Sequence, residues 1–201
     1  EYSNEEIKKE IEKHNLKYEE FTNIEEVVAK LLAEGNVVAR FNGKMEYGPR
    51  ALGNRSVLFK PDDPSVNDWL NKKLKRTEFM PFAPVTMKEY ASEYYELFKN
   101  IERPATFMTI TVSCTDKMKK VSPGVVHVDG TARPQLVTKE QNPSYYSIIE
   151  NFYKLTGNPT LINTSFNMHE EPIVCSPDDA LRAFIAAELP YLAIGNFLVK
   201  K

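Results

Sequence analysis

The segment Gly43-Lys-Met-Glu-Tyr-Gly-Pro-Arg-Ala-Leu-Gly-Asn-Arg-Ser56 constrains this chain most, because it places glycines and cations between two strand-like runs. Those runs, at residues 37–41 and 57–59, are short and largely apolar, as buried strands are. Glycine allows positive φ and a close approach of the backbone to a ligand, and arginine binds phosphate or carboxylate through paired hydrogen bonds. We therefore predict a hairpin whose connection binds an anion through Arg50 and Arg55. An ordinary hairpin with solvated arginines is the alternative.

Length and composition predict one folded domain. The chain has 201 residues, of which 42% are hydrophobic, and this is enough for a substantial core. The net charge of −2 argues against a general nucleic-acid binder and against a polybasic membrane binder. The most apolar C-terminal stretch, residues 183–199, is too short and too interrupted to span a bilayer.

Two further features concern the cellular compartment and the extent of the protein. Cys114 and Cys175 lie far apart, without a partner motif or a secretory signal, which favours buried thiols in a reducing cytoplasm over a disulfide. The sequence begins at Glu1 rather than at methionine. We interpret it as a piece of a longer protein, whose active site could extend beyond this piece.

Apolar periodicity and capping signals divide the chain into interspersed helices and strands. Asn23-Ile-Glu-Glu26 predicts a capping box, Ser176-Pro-Asp-Asp179 predicts a second capped helix start, and prolines make residues 78–84 an extended linker. The predicted helices are residues 4–15, 24–34, 64–74, 88–98, 144–154 and 177–188, and the predicted strands are residues 36–41, 56–59, 106–112, 124–128, 131–137, 160–162 and 191–198. Short turns between several strands favour a mixed sheet in an α/β or α+β fold.

Two more segments offer polar side chains to a binding site. Residues 71–84 join a basic helix end to a stiff proline segment, which can direct one or two cations such as Lys75 and Arg76 into a site, although most of these lysines must be solvated. Asn163-Thr-Ser-Phe-Asn167 follows an apolar strand and suits hydrogen bonding to a nucleotide or an oxyanion. A plain turn is the alternative for the second segment.

The segment His127-Val-Asp-Gly-Thr-Ala-Arg133 adds a third group of polar side chains. On a strand, His127 and Asp129 share a face, and a tight turn at Gly130 brings neighbouring polar residues to one edge. A hairpin whose aspartate caps its own turn is the alternative. The chain shows no second histidine at ligand spacing and no spacing typical of a covalent nucleophile, so neither metal binding nor covalent catalysis is predicted here.

Together these segments resemble the C-terminal domain of the NodU/CmcH-type O-carbamoyltransferases. The matching segments are Gly43-Lys-Met-Glu-Tyr-Gly-Pro-Arg-Ala-Leu-Gly-Asn-Arg-Ser56, Pro81-Phe-Ala-Pro84, His127-Val-Asp-Gly-Thr-Ala-Arg133, Asn163-Thr-Ser-Phe-Asn167 with Glu171-Pro-Ile-Val174, and Gly195-Asn-Phe-Leu-Val199. The resemblance runs from about Ile24 to the end. It implies a domain at residues 24–201 and a lead-in helix at residues 1–23 that comes from an absent N-terminal domain.

The resemblance implies a fold and an activity. The fold would be YrdC-like, with a twisted, mixed, partly open sheet and flanking helices. The domain would bind ATP and carbamoyl phosphate, with Mg²⁺ accompanying ATP, and form carbamoyladenylate. An N-terminal domain similar to sugar-kinase/actin-type ATPases would hold Fe²⁺ or a similar metal and pass the carbamoyl group to an acceptor hydroxyl that this sequence does not identify.

The resemblance also assigns residues to the site. Three cations would neutralise phosphate and carbamoyl charge: Lys75, Arg50 and Arg133. Seven residues would bind ATP or carbamoyl phosphate: Arg55, Arg76, His127, Asp129, Asn163, Ser165 and Asn167. Glu170-Glu171 stands where many relatives have Gly-Glu, which leaves the geometry of that turn open.

Three other functions stay open: a threonylcarbamoyl-adenylate synthase that serves tRNA modification, an RNA-binding module, and a nucleotide-binding domain without catalysis. Gly48-Pro-Arg-Ala-Leu-Gly53 and residues 127–133 favour the carbamoyltransferase, and the net charge of −2 argues against RNA. Apolar patches left uncovered by the absent domain would let the chain self-associate as a homodimer.

Overall fold

The computed structural model describes residues 1–75, 81–96 and 101–201. The strands in these residues are β1 (Tyr18–Glu20), β2 (Val38–Phe41), β3 (Arg55–Phe59), β4 (Ala83–Met87), β5 (Val112–Ser113), β6 (Thr131–Ala132), β7 (Gln135–Val137), β8 (Thr160–Ser165), β9 (Tyr191–Ile194) and β10 (Phe197–Lys200). The helices are α1 (Asn4–Lys13), α2 (Ile24–Ala33), α3 (Val66–Lys73), α4 (Ala91–Tyr94), α5 (Glu102–Thr106), α6 (Asp116–Val121), α7 (Pro143–Thr156) and α8 (Pro177–Ala186). Predictions on residues 76–80 and 97–100, including the role of Arg76, lie outside the described residues.

Eight strands form one mixed sheet in the order β1-β10-β9-β2-β3-β8-β4-β7. The pairs β2–β9 and β4–β7 are parallel, and the other neighbours are antiparallel. β2 and β3 form the predicted hairpin, with Val38 opposite Leu58. The sheet ends in two different strands, β1 and β7, so it is open, and the prediction of a mixed, partly open sheet is confirmed.

Helices cover both faces of this sheet. Successive side chains of a strand point to opposite faces: Val38 and Leu58 pack in one hydrophobic cluster with α2 and α7, whereas Ala39 and Val57 pack in the other with α1 and α8. Both clusters consist of buried side chains. The central strands are therefore apolar on both sides, which explains why they read as short continuous apolar runs.

The predicted caps at two helix starts can be compared with the structure. Ser176 caps the start of α8 as predicted, and the structure adds a reciprocal bond to Asp179 that completes a capping box. The capping box predicted at Asn23 is wrong, because the Asn23 side chain makes no capping hydrogen bond. The helix still begins at Ile24, where its buried apolar face packs against the sheet, so packing rather than the cap determines this start.

Two predicted strands are wrong. Residues 106–112 alternate in polarity, but Glu102–Thr106 is helical and the strand is confined to Val112–Ser113. Met108 has a φ of 54°, which interrupts any extended run. The segment predicted as a strand at residues 124–128 begins instead as a short 3-10 helix, Pro123–Val125, because proline at its first position favours a helical φ.

The extended linker predicted at residues 78–84 is wrong at its C-terminal end. Ala83 and Pro84 belong to β4, inside the sheet, where Pro84 lies opposite Ile162. Pairing of β4 with β7 begins only at Val85, so the sheet tolerates a proline that has no N–H to donate.

Both cysteines are free; Cys114 is buried as predicted, whereas Cys175 is exposed, so the prediction of two buried thiols is wrong for Cys175. No helix within the described ranges is both long and apolar enough to cross a membrane.

Two separate buried tyrosines, Tyr145 and Tyr95, give a first testable prediction. Tyr145 of α7 is completely buried, and its hydroxyl bonds to no residue that the structure describes; burial raises the pKa of this phenol. An unpartnered buried hydroxyl is unfavourable, so we expect Tyr145→Phe to leave the free energy of unfolding unchanged or to raise it by up to about 1 kcal/mol. Urea denaturation measures this difference.

Tyr95 is the matched control for this substitution. It is equally buried, but its hydroxyl lies 2.7 Å from Thr86 Oγ1. Tyr95→Phe should therefore lower the free energy of unfolding by about 0.5–1.5 kcal/mol. Equal losses in the two variants would contradict the prediction for Tyr145.

Candidate functional site

One small cavity collects several residues that the sequence predicts as ligands. Arg50 reaches it from the β2–β3 loop, Arg133 from between β6 and β7, and Asn163 and Ser165 from β8. Because β8 lies between β3 and β4 in the sheet, segments distant in sequence meet here. The cavity volume is about 70 Å³, which suits a phosphate-sized or carbamoyl-sized group rather than a whole nucleotide. The lining residues are Pro49, Arg50, Ala51, Pro81, Ala83, Met108, Arg133, Asn163, Thr164 and Ser165.

Positive charge dominates this cavity. Burial lowers the pKa of Arg133, and the positive charge of Arg50 lowers that pKa further. The Arg133 guanidinium is thus held in an unfavourable place, partly out of water and facing another cation. A bound anion would relieve both effects, so the electrostatics favour a phosphate or carboxylate ligand between Arg50 and Arg133.

Asn163 and Gln135 fix the wall of the cavity. Asn163, which is 1% exposed, donates through Nδ2 to the carbonyl of Ala51 at 3.0 Å and to Gln135 Oε1 at 2.7 Å. Gln135 Nε2 in turn donates to the carbonyl of Leu52 at 2.8 Å. The two amides therefore tie the C-terminal part of the β2–β3 loop to the sheet, next to Arg50.

The loop after β8 is held by Asn167. Its Nδ2 donates to the carbonyls of Met168 at 3.0 Å and Glu171 at 2.9 Å, while its Oδ1 accepts from Ser165 Oγ at 2.6 Å. This orients the Ser165 hydroxyl at the cavity wall. Glu170 has a φ of 62°, a left-handed conformation that suits glycine better than glutamate.

Arg55, a predicted ligand, lies outside the lining of this cavity. It is 1% exposed. Its guanidinium donates to the carbonyls of Asn42 at 2.8 Å, Asn54 at 2.9 Å and Gly43 at 3.2 Å, and it lies 3.6 Å from the centroid of the Phe41 ring. The placement of Arg55 therefore favours holding the two ends of the loop together over contacting a ligand.

The turn that contains His127 and Asp129 has the structure given above as the alternative for that segment, in which the aspartate caps its own turn. Asp129 Oδ1 accepts from the backbone N–H of Thr131 at 3.0 Å and from its hydroxyl at 2.7 Å, so the aspartate caps its own turn. His127 Nδ1 lies 3.1 Å from Thr131 Oγ1. Burial lowers the pKa of His127, the Asp129 carboxylate opposes this by raising it, and the charge of Arg133 lowers it. The histidine is thus a neighbour of Arg133 but lies outside the cavity lining.

Lys75 is the remaining predicted ligand within the described residues. It follows α3 with an exposed side chain and a φ of 55°, and it is not part of the cavity lining. The preceding residue, Leu74, accepts a hydrogen bond from His169 N at 3.3 Å. This bond brings the end of α3 next to the loop that follows Ser165 and Asn167.

One group of side chains could hold a metal ion within the part of the chain that the structure describes. Glu10, His14 and Asp178 place their ligand atoms within 4.8 Å of one another, at the contact between α1 and α8. His14 Nε2 lies 2.8 Å from Asp178 Oδ1, and Asp178 also pairs with Arg182. These bonds account for the cluster as a polar contact between α1 and α8, and none of the three residues lines the cavity.

Two residues outside the predicted site, Glu46 and Arg40, organise the β2–β3 loop. Glu46 Oε1 accepts from three backbone N–H groups, those of Leu52, Asn54 and Arg55. Arg40, which is 3% exposed, donates to the Gly53 carbonyl and to the Ser144 hydroxyl, and burial lowers its pKa to about 10. A lone carboxylate within a segment rich in cations was the available signal for Glu46.

The family described as "Carbamoyltransferase C-terminus" matches residues 29–201 of this chain. The chain belongs to this family. Its relatives include an uncharacterised protein, MJ1051, of Methanocaldococcus jannaschii, 41% identical over 98% of the chain and 37% of the relative. The nodulation protein NolO of Bradyrhizobium diazoefficiens is 42% identical over 86% of the chain and 32% of the relative. The chain thus spans about a third of the length of these curated relatives.

Solved structures support the fold. Full-length HypF in a phosphate- and nucleotide-bound form is similar with a TM-score of 0.60, at 20% identity over 86% of this chain and 21% of that one. Sua5 of P. abyssi is similar with a TM-score of 0.55, at 13% identity over 86% of this chain and 45% of that one. The predicted YrdC-like fold is confirmed by these neighbours.

Proposed function

We propose that this chain is the adenylate-forming domain of an O-carbamoyltransferase, which binds ATP and carbamoyl phosphate. The observation that carries the proposal is the cavity where Arg50 and Arg133 face each other beside Ser165, in a member of the carbamoyltransferase C-terminus family. Both proposed substrates bring phosphate groups, which paired guanidinium groups bind well.

The proposed chemistry is the formation of one mixed anhydride. Water converts carbamoyl phosphate into carbamate and inorganic phosphate. A carbamate oxygen then attacks the α-phosphorus of ATP, the bond from this phosphorus to the bridging oxygen of the β-phosphate breaks, and pyrophosphate leaves. Mg²⁺ that accompanies ATP would help to neutralise the phosphate charge. Phosphoryl-type transfer depends mainly on positioning and on neutralising charge, and these are the tasks that the two arginines would perform.

The predicted residues would divide these tasks by their position. Arg50 and Arg133 would hold the transferred anion. Ser165, whose hydroxyl proton is donated to Asn167, would orient the nucleotide phosphates together with Asn167 and Mg²⁺. Lys75 would contact ATP phosphates that extend beyond the small cavity. Residues of the walls and of the neighbouring turn would shape the pocket: Asn163, His127, Asp129 and Gln135.

The rest of the reaction would take place in another domain. The chain spans about a third of its curated relatives, and a further N-terminal domain of the same polypeptide would hold a metal such as Fe²⁺ and transfer the carbamoyl group to an acceptor hydroxyl. A cytoplasmic location would give access to ATP and carbamoyl phosphate.

The test is exchange of labelled pyrophosphate into ATP by this chain in the presence of Mg²⁺. We expect exchange that depends on carbamoyl phosphate, because pyrophosphate can resynthesise ATP only from the adenylate. ATP binding without exchange would contradict the proposed catalysis and support a nucleotide-binding domain. Exchange that requires threonine and bicarbonate in place of carbamoyl phosphate would support the threonylcarbamoyl-adenylate alternative instead.

A further inference from the structure

We infer that Glu46 is a positioning residue, whose carboxylate closes the loop that presents Arg50 to an anion. The inference rests on the proposed function only in taking Arg50 as a ligand for phosphate groups. Glu46 Oε1 accepts hydrogen bonds from Leu52 N at 2.8 Å, Asn54 N at 2.7 Å and Arg55 N at 3.2 Å. One oxygen therefore binds three backbone N–H groups in the part of the chain that leads into β3.

The bond from Leu52 to Glu46 encloses the tip of the loop. Between these two residues lie Tyr47, Gly48, Pro49, Arg50 and Ala51, and the first four of them are exposed. Tyr47 is 106% exposed relative to its reference state, so packing does not hold the tip in place. The loop has an outgoing leg, residues 42–46, and a returning leg, residues 51–54. The position of Arg50 must then be determined by the bonds that hold these two legs in place.

The two legs are anchored differently. The returning leg is tied to the sheet through the bonds from Asn163 to Ala51 and from Gln135 to Leu52. The outgoing leg has the bond from Asn54 Nδ2 to the carbonyl of Lys44 at 2.8 Å and, two residues on, the Glu46 carboxylate. Removing that carboxylate would leave the six residues from Met45 to Arg50 held only at their ends, by the bonds at Lys44 and Ala51, and Arg50 would sample more positions.

The negative charge of Glu46 is matched by buried cations. Its charge raises the pKa of Arg55 and of Arg40, opposing the lowering caused by burial of both. Its second oxygen, Oε2, is buried and accepts no hydrogen bond from the described residues. Glu46 thus balances Arg40 and Arg55 behind the loop, which leaves Arg50 and Arg133 as the cations that face the cavity.

Two effects of opposite sign follow from removing Glu46. Losing a negative charge near the cavity would strengthen anion binding, whereas losing three charge-assisted hydrogen bonds would release Arg50 and weaken it. Charged acceptors bind N–H groups about twice as strongly as neutral ones, and the Glu46 charge is already compensated by Arg40 and Arg55. We therefore expect release of Arg50 to dominate.

Calorimetric titration of pyrophosphate into the 201-residue chain tests this inference. Glu46→Ala should weaken pyrophosphate binding about tenfold, and Glu46→Gln, which keeps a neutral acceptor, should weaken it less. If Glu46 acts through Arg50, the double variant Glu46→Ala/Arg50→Ala should bind within about twofold of Arg50→Ala alone. A role in general stability would instead make the two losses multiply.

Asp179→Ala is the matched control. Its carboxylate also accepts two backbone N–H bonds, from Cys175 at 3.3 Å and Ser176 at 2.9 Å, but it caps α8 and does not line the cavity. The Asp179→Ala substitution should lower the melting temperature without changing the affinity for pyrophosphate.

Three results would count against the inference. Multiplying losses in the double variant, or tighter binding by Glu46→Gln than by the unchanged chain, would overturn it and leave the proposed function standing. Failure of the unchanged chain to bind pyrophosphate would overturn both, because Arg50 would then have no anion to hold.

Discussion

Replacing Arg133 with alanine should lower carbamoyl-phosphate-dependent exchange of pyrophosphate into ATP by about 10²–10³-fold, the loss typical of a charge-stabilising donor. Arg133 lines the cavity, is half-buried and faces Arg50. Burial and Arg50 lower its pKa, so the folded chain gains no stability from this charge at neutral pH. The free energy of unfolding should therefore stay the same or rise, while exchange is lost.

Two further variants separate charge, shape and surface effects. Arg133→Lys keeps the charge without the planar fork and should retain part of the exchange rate. Arg182→Ala removes an exposed arginine of α8 that pairs with Asp178 and Asp179, and should leave exchange unchanged. Near-normal exchange in Arg133→Ala, measured on a chain that still unfolds cooperatively, would show that Arg133 is not part of the site.

The sequence predicts the parts of this fold that depend on local signals. The capped start of α8 at Ser176 and the β2–β3 hairpin follow from neighbouring residues alone. β4 was hidden because Pro84 is disfavoured in strands, and only the order of its neighbours in the sheet explains why a proline fits there. The alternating polarity of residues 106–112 predicts a strand, but the positive φ of Met108 interrupts an extended run, and the strand is confined to Val112–Ser113.

The candidate site shows a similar limit. Arg50 and Arg55 look alike in the sequence, yet one lines the cavity and the other is buried among backbone carbonyls. Which arginine faces a ligand depends on the path of the loop at Arg50 and on the side to which Arg55 turns at the start of β3, and a sequence pattern specifies neither. Glu46 was also missed. Its partners are backbone N–H groups and not side chains, so no pattern of residue types reveals them.

Replacing Gly53 with alanine should disturb the same loop from its buried side. Gly53 has a φ of 117°, and a Cβ there would lie 2.2 Å from the Tyr145 ring. The strained backbone and the overlap with the ring should each cost about 1–3 kcal/mol. Because Arg40 donates to the Gly53 carbonyl, relief of the overlap would also move the loop that carries Arg50. Urea denaturation and pyrophosphate titration measure the two consequences.

Gly48→Ala separates backbone strain from overlap. Gly48 lies in the same loop with a φ of 124°, but a Cβ there would meet no atom of the described residues within 4 Å. It should lose only the strain contribution, so Gly53→Ala should be the less stable variant by about 1–3 kcal/mol. Equal stability of the two variants would mean that the Tyr145 ring moves aside without cost, and the close contact between α7 and this loop would then not be what fixes Gly53 in place.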